Sequence, residues 1–144
     1  MRGFIACPMA TSLTSSTPMP WEHPQALHLP GDLGPGVQID ALRAGLDQLS
    51  SCDGIRAMVV FGSRARGEAT ASSDLDLAVI CREEHLGADR RGELWSRYRK
   101  ALGAIGCGVD LVLQGQGDAA RFSESRWHVM KDVRRHGVVI YAAE

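Results

Sequence analysis

The sequence predicts a small α/β (α+β) domain in which a mixed sheet of about four strands is covered by helices. Short apolar runs rich in β-branched residues, typical of buried strands, alternate with segments whose apolar residues recur every three to four positions, as in amphipathic helices. The resulting order is α-β-α-β-α-β-α-β, and such alternation places helices against the faces of a sheet. A chain of 144 residues is long enough for one domain of this kind.

The first regular elements begin at Ile39. Apolar residues at helical spacing predict a helix over about 39–51, and the run IRAMVVF predicts a buried strand over about 55–61 that ends at Gly62. A short helical turn is expected from Ser63. The later predicted elements are a strand at about 74–81, a helix at about 87–104, a strand at about 108–113, a helix at about 118–136 and a strand at about 138–142.

Two of these helices carry further signals. The helix at about 87–104 is expected to bury one apolar stripe, formed by Leu94, Trp95, Tyr98 and Leu102. The last helix is expected to be continuous and to end at Gly137, because glycine is a common residue at helix C-termini.

Residues 1–36 differ in composition from the remainder. All six prolines lie in this segment, together with runs of Ser, Thr and Gly, and it has no helical or strand period. Such a segment buries too little apolar area to offset the entropy that ordering would cost. We expect an irregular or disordered leader over 1–36, with Trp21 attached at most to the surface, and a folded domain over 37–144.

Composition excludes several classes of protein. With 16 basic and 17 acidic residues the net charge is −1, which argues against direct nucleic-acid binding. The four cysteines form no C-x-x-C pair and no histidine stands at metal-ligand spacing, so a zinc site is not expected. No apolar run approaches the roughly 18 residues that span a bilayer, and no signal peptide is evident. We therefore expect a cytoplasmic protein with reduced thiols and no membrane partner.

The segment FGSRARGEATASSDLDLAVI, residues 61–80, contains the residues with chemical potential. Gly62 and Ser63 stand where a buried strand passes into a helix, and free backbone N–H groups at such a point can bind phosphate. Glycine lets an anion approach the main chain, and the serine hydroxyl can donate a hydrogen bond to it. Arg64 and Arg66 are nearby charge partners for a polyphosphate.

Asp74 and Asp76 are two residues apart on a predicted strand, so their side chains point to the same face. Their carboxylates can converge on hard cations, which prefer oxygen ligands. Asp110 lies in another apolar strand, where a lone carboxylate is costly unless it is paired or bound to metal. These three acids are the candidate catalytic and metal-binding residues, and Asp118 and Asp132 are weaker candidates.

Each feature taken alone also has an ordinary explanation. Gly62-Ser63 could be a simple turn, and the sequence Asp-Leu-Asp could be the solvated face of an edge strand. Arg66 could pair with Asp74 or Glu68. The combination at fixed spacing is what distinguishes this segment.

The segment reads G-S-x-A-R-G, five residues, and then S-D-x-D-L. This pattern resembles the signature of the DNA polymerase beta-type nucleotidyltransferase superfamily, and specifically its minimal nucleotidyltransferases. The resemblance covers roughly residues 37–144 and implies the polymerase beta-type nucleotidyltransferase fold. Its specific part is the segment 62–77.

The resemblance also implies functions for individual residues. Gly62 and Ser63 would hold the triphosphate of ATP or another NTP, and Asp74 and Asp76 would coordinate two Mg²⁺ ions. Asp110 would be the third carboxylate, which binds the catalytic metal and helps to deprotonate the acceptor hydroxyl. Two further motif residues are expected to contact the nucleotide, Arg66 and Ser73.

The acceptor is predicted from chain length together with the resemblance. Polymerases and drug-modifying relatives attach further domains that build the acceptor pocket, whereas this sequence has room for little beyond the catalytic core. It is thus similar to stand-alone members that act as antitoxins and adenylylate a tyrosine of a helical HEPN-type toxin. We expect a HEPN-type toxin as the protein partner and its tyrosine hydroxyl as the acceptor of AMP.

Two alternatives stay open. The chain could be a non-catalytic antitoxin that neutralises its partner by occlusion, for which exposed apolar area around Trp95 or Trp127 would be suitable. It could also transfer a nucleotide to a small molecule of the aminoglycoside type, which predicts activity of the purified protein without a partner.

Overall fold

The computed structural model describes residues 17–144, and at its centre is one four-stranded mixed sheet. The strands are β1 (Ile55–Phe61), β2 (Leu75–Cys81), β3 (Val109–Gly115) and β4 (Val138–Ala142). Their spatial order is β3-β2-β1-β4, with β2 and β3 parallel and β1 antiparallel to both of its neighbours. The predicted mixed sheet of about four strands is confirmed.

Helices cover both faces of this sheet. They are α1 (Ile39–Ser50), α2 (Gly62–Arg66), α3 (Ala88–Leu102), α4 (Gln116–Phe122) and α5 (Val129–His136). Side chains of β1 alternate between two core clusters, because successive residues of a strand point to opposite faces. Met58 and Val60 pack with α1 and α3, whereas Val59 and Phe61 pack with α4 and α5. Burial of both faces explains why the central strands are continuous apolar runs.

The last helix differs from its prediction, because the segment at about 118–136 is two helices and not one. α4 ends at Phe122, and α5 begins only after His128, which has an extended backbone. The His128 ring nitrogen Nδ1 accepts a hydrogen bond from the backbone N–H of Met130 at 3.1 Å. This side-chain cap satisfies a free donor at the start of α5 and separates it from α4.

The apolar stripe predicted for α3 is correct for Leu94, Tyr98 and Leu102, which are at most 2% exposed. It is wrong for Trp95, which is 42% exposed. The indole N–H of Trp95 donates to the carbonyl oxygen of Leu111 at 3.0 Å. That hydrogen bond holds the ring across the edge of the sheet, outside the core.

Residues 17–36 have little regular structure beyond a short 3-10 turn at Pro20–Glu22, yet they pack closely against the sheet. Gln25 forms an isolated antiparallel bridge with Ala142 of β4. Trp21, expected at the surface, is only 2% exposed, because it fills the core cluster beneath α4 and α5. The first 16 residues of the predicted leader lie outside the described residues.

Within the described part of the chain, no helix is both long enough and apolar enough to cross a membrane.

Candidate active site

The candidate residues meet at one edge of the sheet because of how its strands run. β1 ends at this edge, whereas its antiparallel neighbour β2 and the parallel strand β3 both begin there. Phe61, the last residue of β1, is the Cα partner of Asp76, and Asp76 is in turn the partner of Asp110. The turn that starts at Gly62 therefore lies directly beside Asp76, and Asp110 lies one strand further along the sheet.

Asp74 is exposed immediately before β2, Asp76 is half-buried within β2, and Asp110 is exposed on β3. Burial raises the pKa of Asp76 above its ordinary value, and the nearby charges of Asp110 and Asp74 raise it further. The positive charge of Arg66 opposes these effects, but the pKa of Asp76 stays above its ordinary value. The three acids thus form a cluster of like charges that a cation would stabilise.

Two glycines leave room for these carboxylates. Gly62 has a φ of +74°, and a Cβ atom at this position would overlap with the carboxylate of Asp76. A Cβ atom on Gly108 would overlap with the carboxylate of Asp74, and the Gly108 carbonyl accepts the N–H of Leu75 at 2.8 Å. Gly108 was missed by the sequence reasoning. Its only signal was its position two residues before Asp110.

Whether these residues fit a metal depends on their donor atoms and their spacing. Among residues 17–144, no group of three His, Cys, Asp or Glu side chains already forms a metal cage. Neighbouring strands are about 4.8 Å apart, and an aspartate has two rotatable bonds, so side-chain rotation alone can bring three carboxylates onto one cation. An all-oxygen, acidic donor set with glycine-lined space fits Mg²⁺. The residues that would hold it are Asp74, Asp76 and Asp110.

Ser63 and Ser73 differ in their surroundings. Ser63 is half-buried at the start of α2, one residue after the end of β1. The hydroxyl of Ser73 accepts the backbone N–H of Thr70 at 2.9 Å, and its own N–H donates to the Thr70 carbonyl at 3.1 Å. Ser73 therefore closes the turn that leads into Asp74, and its contact with a nucleotide stays a prediction.

Arg64 is not available to bind phosphate, so that expectation is wrong. Its side chain is 1% exposed, and its guanidinium donates only to backbone carbonyl oxygens. The two shortest contacts to the leader are 2.8 Å each, to Leu33 and Pro35. The contacts to the turn before Asp74 are 2.7 Å and 3.2 Å to Ser73 and 3.3 Å to Thr70. Arg64 thus ties the leader to the loop that positions the carboxylates.

Arg66 lies at the surface of the site, 40% exposed, and contacts two acids. Its Nε is 3.1 Å from a Glu68 carboxylate oxygen, and one of its terminal nitrogens is 3.8 Å from Asp132. The first contact was one of the ordinary explanations considered from the sequence. The second contact brings α5 beside the end of the sheet that carries Asp74, Asp76 and Asp110, here called the carboxylate edge. The negative charge of Asp132 also contributes to the raised pKa of Asp76.

Asp118, the other weaker candidate, lies elsewhere. It follows the C-terminal end of β3, whereas Asp110 is near the N-terminal end of the same strand. Its carboxylate is 1% exposed and contacts His85 and Arg121 at 2.6 Å each. These two contacts stabilise the negative charge of Asp118, and this residue lies apart from the site.

Comparison with known proteins gives a family and distant structural likenesses. A solved structure described as a candidate nucleotidyltransferase from Sulfolobus solfataricus is 21% identical with a TM-score of 0.47, over 73% of this chain and 83% of that chain. A toxin-antitoxin solved with AMP-PNP is 24% identical with a TM-score of 0.41, over 74% of this chain and 71% of that chain. A mutant of the toxin-antitoxin MntA-HpeT is 21% identical with a TM-score of 0.40, over 74% and 70% of the two chains. At these scores the likenesses carry no functional argument.

No curated protein sequence gives a significant match. The sequence profile described as "Polymerase beta, Nucleotidyltransferase" matches residues 47–144, a span that includes the whole carboxylate edge and the turn at Gly62. Because this match covers more than half of the chain, the resemblance and the fold class predicted from the motif are confirmed: the chain belongs to the Polymerase beta nucleotidyltransferase family.

Proposed function

We propose that this nucleotidyltransferase uses Mg²⁺ to transfer AMP from ATP to a tyrosine hydroxyl of a helical HEPN-type toxin in the cytoplasm, and so acts as its antitoxin. The observation that carries the proposal is the cross-strand pairing of Asp76 with Asp110, beside the turn at Gly62 and Ser63. This arrangement combines a place for a triphosphate with a place for cations at one edge of the sheet.

The transfer needs no covalent enzyme intermediate. The acceptor oxygen forms a bond to the α-phosphorus of ATP while the bond to the bridging oxygen of pyrophosphate breaks, and pyrophosphate leaves with that electron pair. Asp110, exposed on β3, takes the proton from the acceptor hydroxyl. Bound Mg²⁺ stabilises negative charge on the entering and leaving oxygens.

The remaining residues position the nucleotide. Gly62 and Ser63 hold the triphosphate, Gly62 through its backbone N–H and Ser63 through its hydroxyl. Asp74 and Asp76 hold the cations, and the glycines behind them keep the carboxylates in place. Arg66 exchanges its contacts with Glu68 and Asp132 for a contact with phosphate. Positioning and charge stabilisation therefore supply most of the rate enhancement.

A protein acceptor is supported by the openness of the site. Asp74 and Asp110 are both exposed, so a large acceptor can approach them without entering a cavity. This exposure of the two carboxylates favours a macromolecular acceptor over an aminoglycoside.

The test uses the chain, a helical HEPN-type toxin as the partner protein, ATP labelled at the α-phosphate, and Mg²⁺. Label is expected on a tyrosine of the partner, and it should be lost in the double variant Asp74→Asn/Asp76→Asn. Asp40→Asn is a matched control, because the Asp40 side chain is fully exposed on α1, away from the site. The enzymatic proposal fails if no label transfers while the double variant neutralises the toxin as well as the unmodified chain does.

That same failed outcome would support the second candidate, neutralisation by occlusion. The observation that favours it is the exposure of Trp127, at 88%. Label transfer to an aminoglycoside by the purified chain without a partner would instead support the small-molecule alternative.

A further inference from the structure

Two of the four large hydrophobic residues that are exposed in the described part of the chain lie almost side by side. Trp127 is 88% exposed and Val129 is 40% exposed. A tryptophan so fully in water is unusual, because burial of its ring would stabilise the chain. Neither side chain contributes to the core clusters. The exposure of these two side chains therefore indicates a binding function at the surface.

The segment that presents Trp127 is held firmly on both sides. The ring of His128 stacks on Phe122 with centroids 4.5 Å apart, and its Nδ1 caps α5 through Met130. The backbone N–H of Trp127 donates to the hydroxyl of Ser125 at 3.3 Å. An aromatic side chain on such a preorganised segment loses little entropy when a partner binds, which is why tryptophan is frequent at binding hot spots.

The surroundings of Trp127 are basic. The segment 126–136 contains four Lys or Arg residues and one Asp, a net charge of +3, whereas the rest of the chain has −4, because the whole has −1. The guanidinium of Arg126 lies 5.9 Å from the centre of the Trp127 ring. Lys131 and Arg135 line the same concave pocket as Arg126. We call Arg126, Trp127, Lys131 and Arg135 the α5 surface.

The α5 surface adjoins the carboxylate edge. Asp132 lines the pocket of the α5 surface and contacts Arg66, whose charge acts on Asp76. The lining of this pocket contains three basic side chains (Arg126, Lys131 and Arg135) and one acidic side chain (Asp132), so the net charge that it presents to a partner is positive. A segment bound there would have its neighbouring residues within reach of the metal-binding edge.

We propose that the α5 surface docks an acidic, tyrosine-containing segment of the acceptor protein, with carboxylates on Lys131 and Arg135 and an apolar or aromatic side chain on Trp127. This inference rests on the proposed function and names the chemistry of its acceptor. A protein segment is favoured over a nucleic acid, because the chain as a whole carries a net charge of −1 and the α5 surface is only a few residues wide. The compact patch also combines charge with exposed apolar area, as protein interfaces do.

The test measures binding separately from transfer. The probe is a fluorescein-labelled random copolymer of glutamate and tyrosine, titrated with the full chain in the presence of Mg²⁺ and followed by fluorescence anisotropy. Lys131→Glu/Arg135→Glu is expected to weaken binding by at least about tenfold, because two attractive charges become repulsive. Trp127→Ala is expected to weaken it about fivefold.

Matched controls lie on α3, which packs on the opposite face of the sheet. Arg97→Glu/Lys100→Glu makes the same charge change at exposed positions, and Trp95→Ala removes the other exposed tryptophan; both should leave the affinity unchanged. The proposal is overturned if the glutamate–tyrosine copolymer does not bind, if a lysine–tyrosine copolymer or a single-stranded oligonucleotide binds as well, or if the α3 variants are equally damaging.

The proposed function has its own readout. Binding that depends on the α5 surface, without transfer of labelled AMP to either the copolymer or the partner, would leave the docking surface established and refute the catalytic proposal. Transfer to a partner tyrosine that is unaffected by the α5 variants would support the catalytic proposal and refute the docking surface.

Discussion

Gly62 begins the helical turn α2 and Gly67 follows its last residue; the two glycines have nearly the same positive φ, +74° and +77°, but their surroundings differ. A Cβ atom on Gly67 would meet nothing within 4 Å, whereas a Cβ atom on Gly62 would overlap with the Asp76 carboxylate. The two substitutions Gly62→Ala and Gly67→Ala therefore impose the same backbone strain, and only the first displaces a carboxylate of the site.

The left-handed conformation costs an alanine about 1–2 kcal/mol, so both variants are expected to lose roughly that much stability. Gly62→Ala must in addition move Asp76, and a displacement of about 1 Å at a reacting centre can cost about 100-fold in rate. We expect Gly67→Ala to retain transfer within a few-fold and Gly62→Ala to lose about 100-fold in kcat/KM.

Urea unfolding followed by circular dichroism gives the stability of each variant, and initial rates of labelled AMP transfer to the partner give kcat/KM. Titration of the ATP–Mg²⁺ complex by calorimetry reports on the site independently of the acceptor. If both variants retain the same kcat/KM and the same affinity for ATP–Mg²⁺, then the close approach of Gly62 to Asp76 has no function and the reasoning is refuted.

Three further outcomes are expected. Asp76→Asn should raise the free energy of unfolding in EDTA at neutral pH, because the pKa of Asp76 is raised in the native state and the charged carboxylate is therefore destabilising at pH values above its ordinary pKa of 3.8. This gain in stability should disappear as the pH falls to 3.8, and a gain that does not change with pH would contradict the prediction. Arg64→Lys should cost about 3 kcal/mol by urea unfolding, since its buried carbonyl contacts need the guanidinium fork, whereas Arg66→Lys, at an exposed position, should cost less than about 1 kcal/mol. Burial raises the pKa of Asp118, but the contacts with His85 and Arg121 outweigh it and leave that pKa lowered. Asp118→Asn should therefore cost about 1.5–3 kcal/mol at neutral pH and progressively less as pH falls below 3.8; a cost independent of pH would refute the charge-based explanation.

Local sequence was sufficient for most of the fold and for the central part of the site. The four strands follow from apolar, β-branched runs, because the residue types that favour a strand are contiguous in sequence, and strand alternation sets which side chains share a face. The spacing of Asp74 and Asp76 is likewise a local property. Asp110 was a candidate because it lies in a second apolar strand, and the parallel register of β2 and β3 places it opposite Asp76.

Other features depend on contacts between residues far apart in sequence. The break at His128 arises from a ring that both caps α5 and stacks on Phe122, so helical periodicity alone could not detect it. Trp21 is buried because the sheet face beneath α4 and α5 has space for it, although its own segment is rich in proline.

The family, the mixed sheet and the acidic motif could be predicted from the amino-acid sequence, because these depend on residue type at short, fixed spacing. In contrast, it took the folded structure to show that Arg64 is buried and links the leader to the turn before Asp74, and that Gly108 makes room for Asp74. The folded structure also showed that α5, with Trp127 exposed, stands beside the carboxylate edge. The physical reason is the same in each case: a side chain's function is set by the groups that folding brings against it, and those groups come from distant parts of the chain.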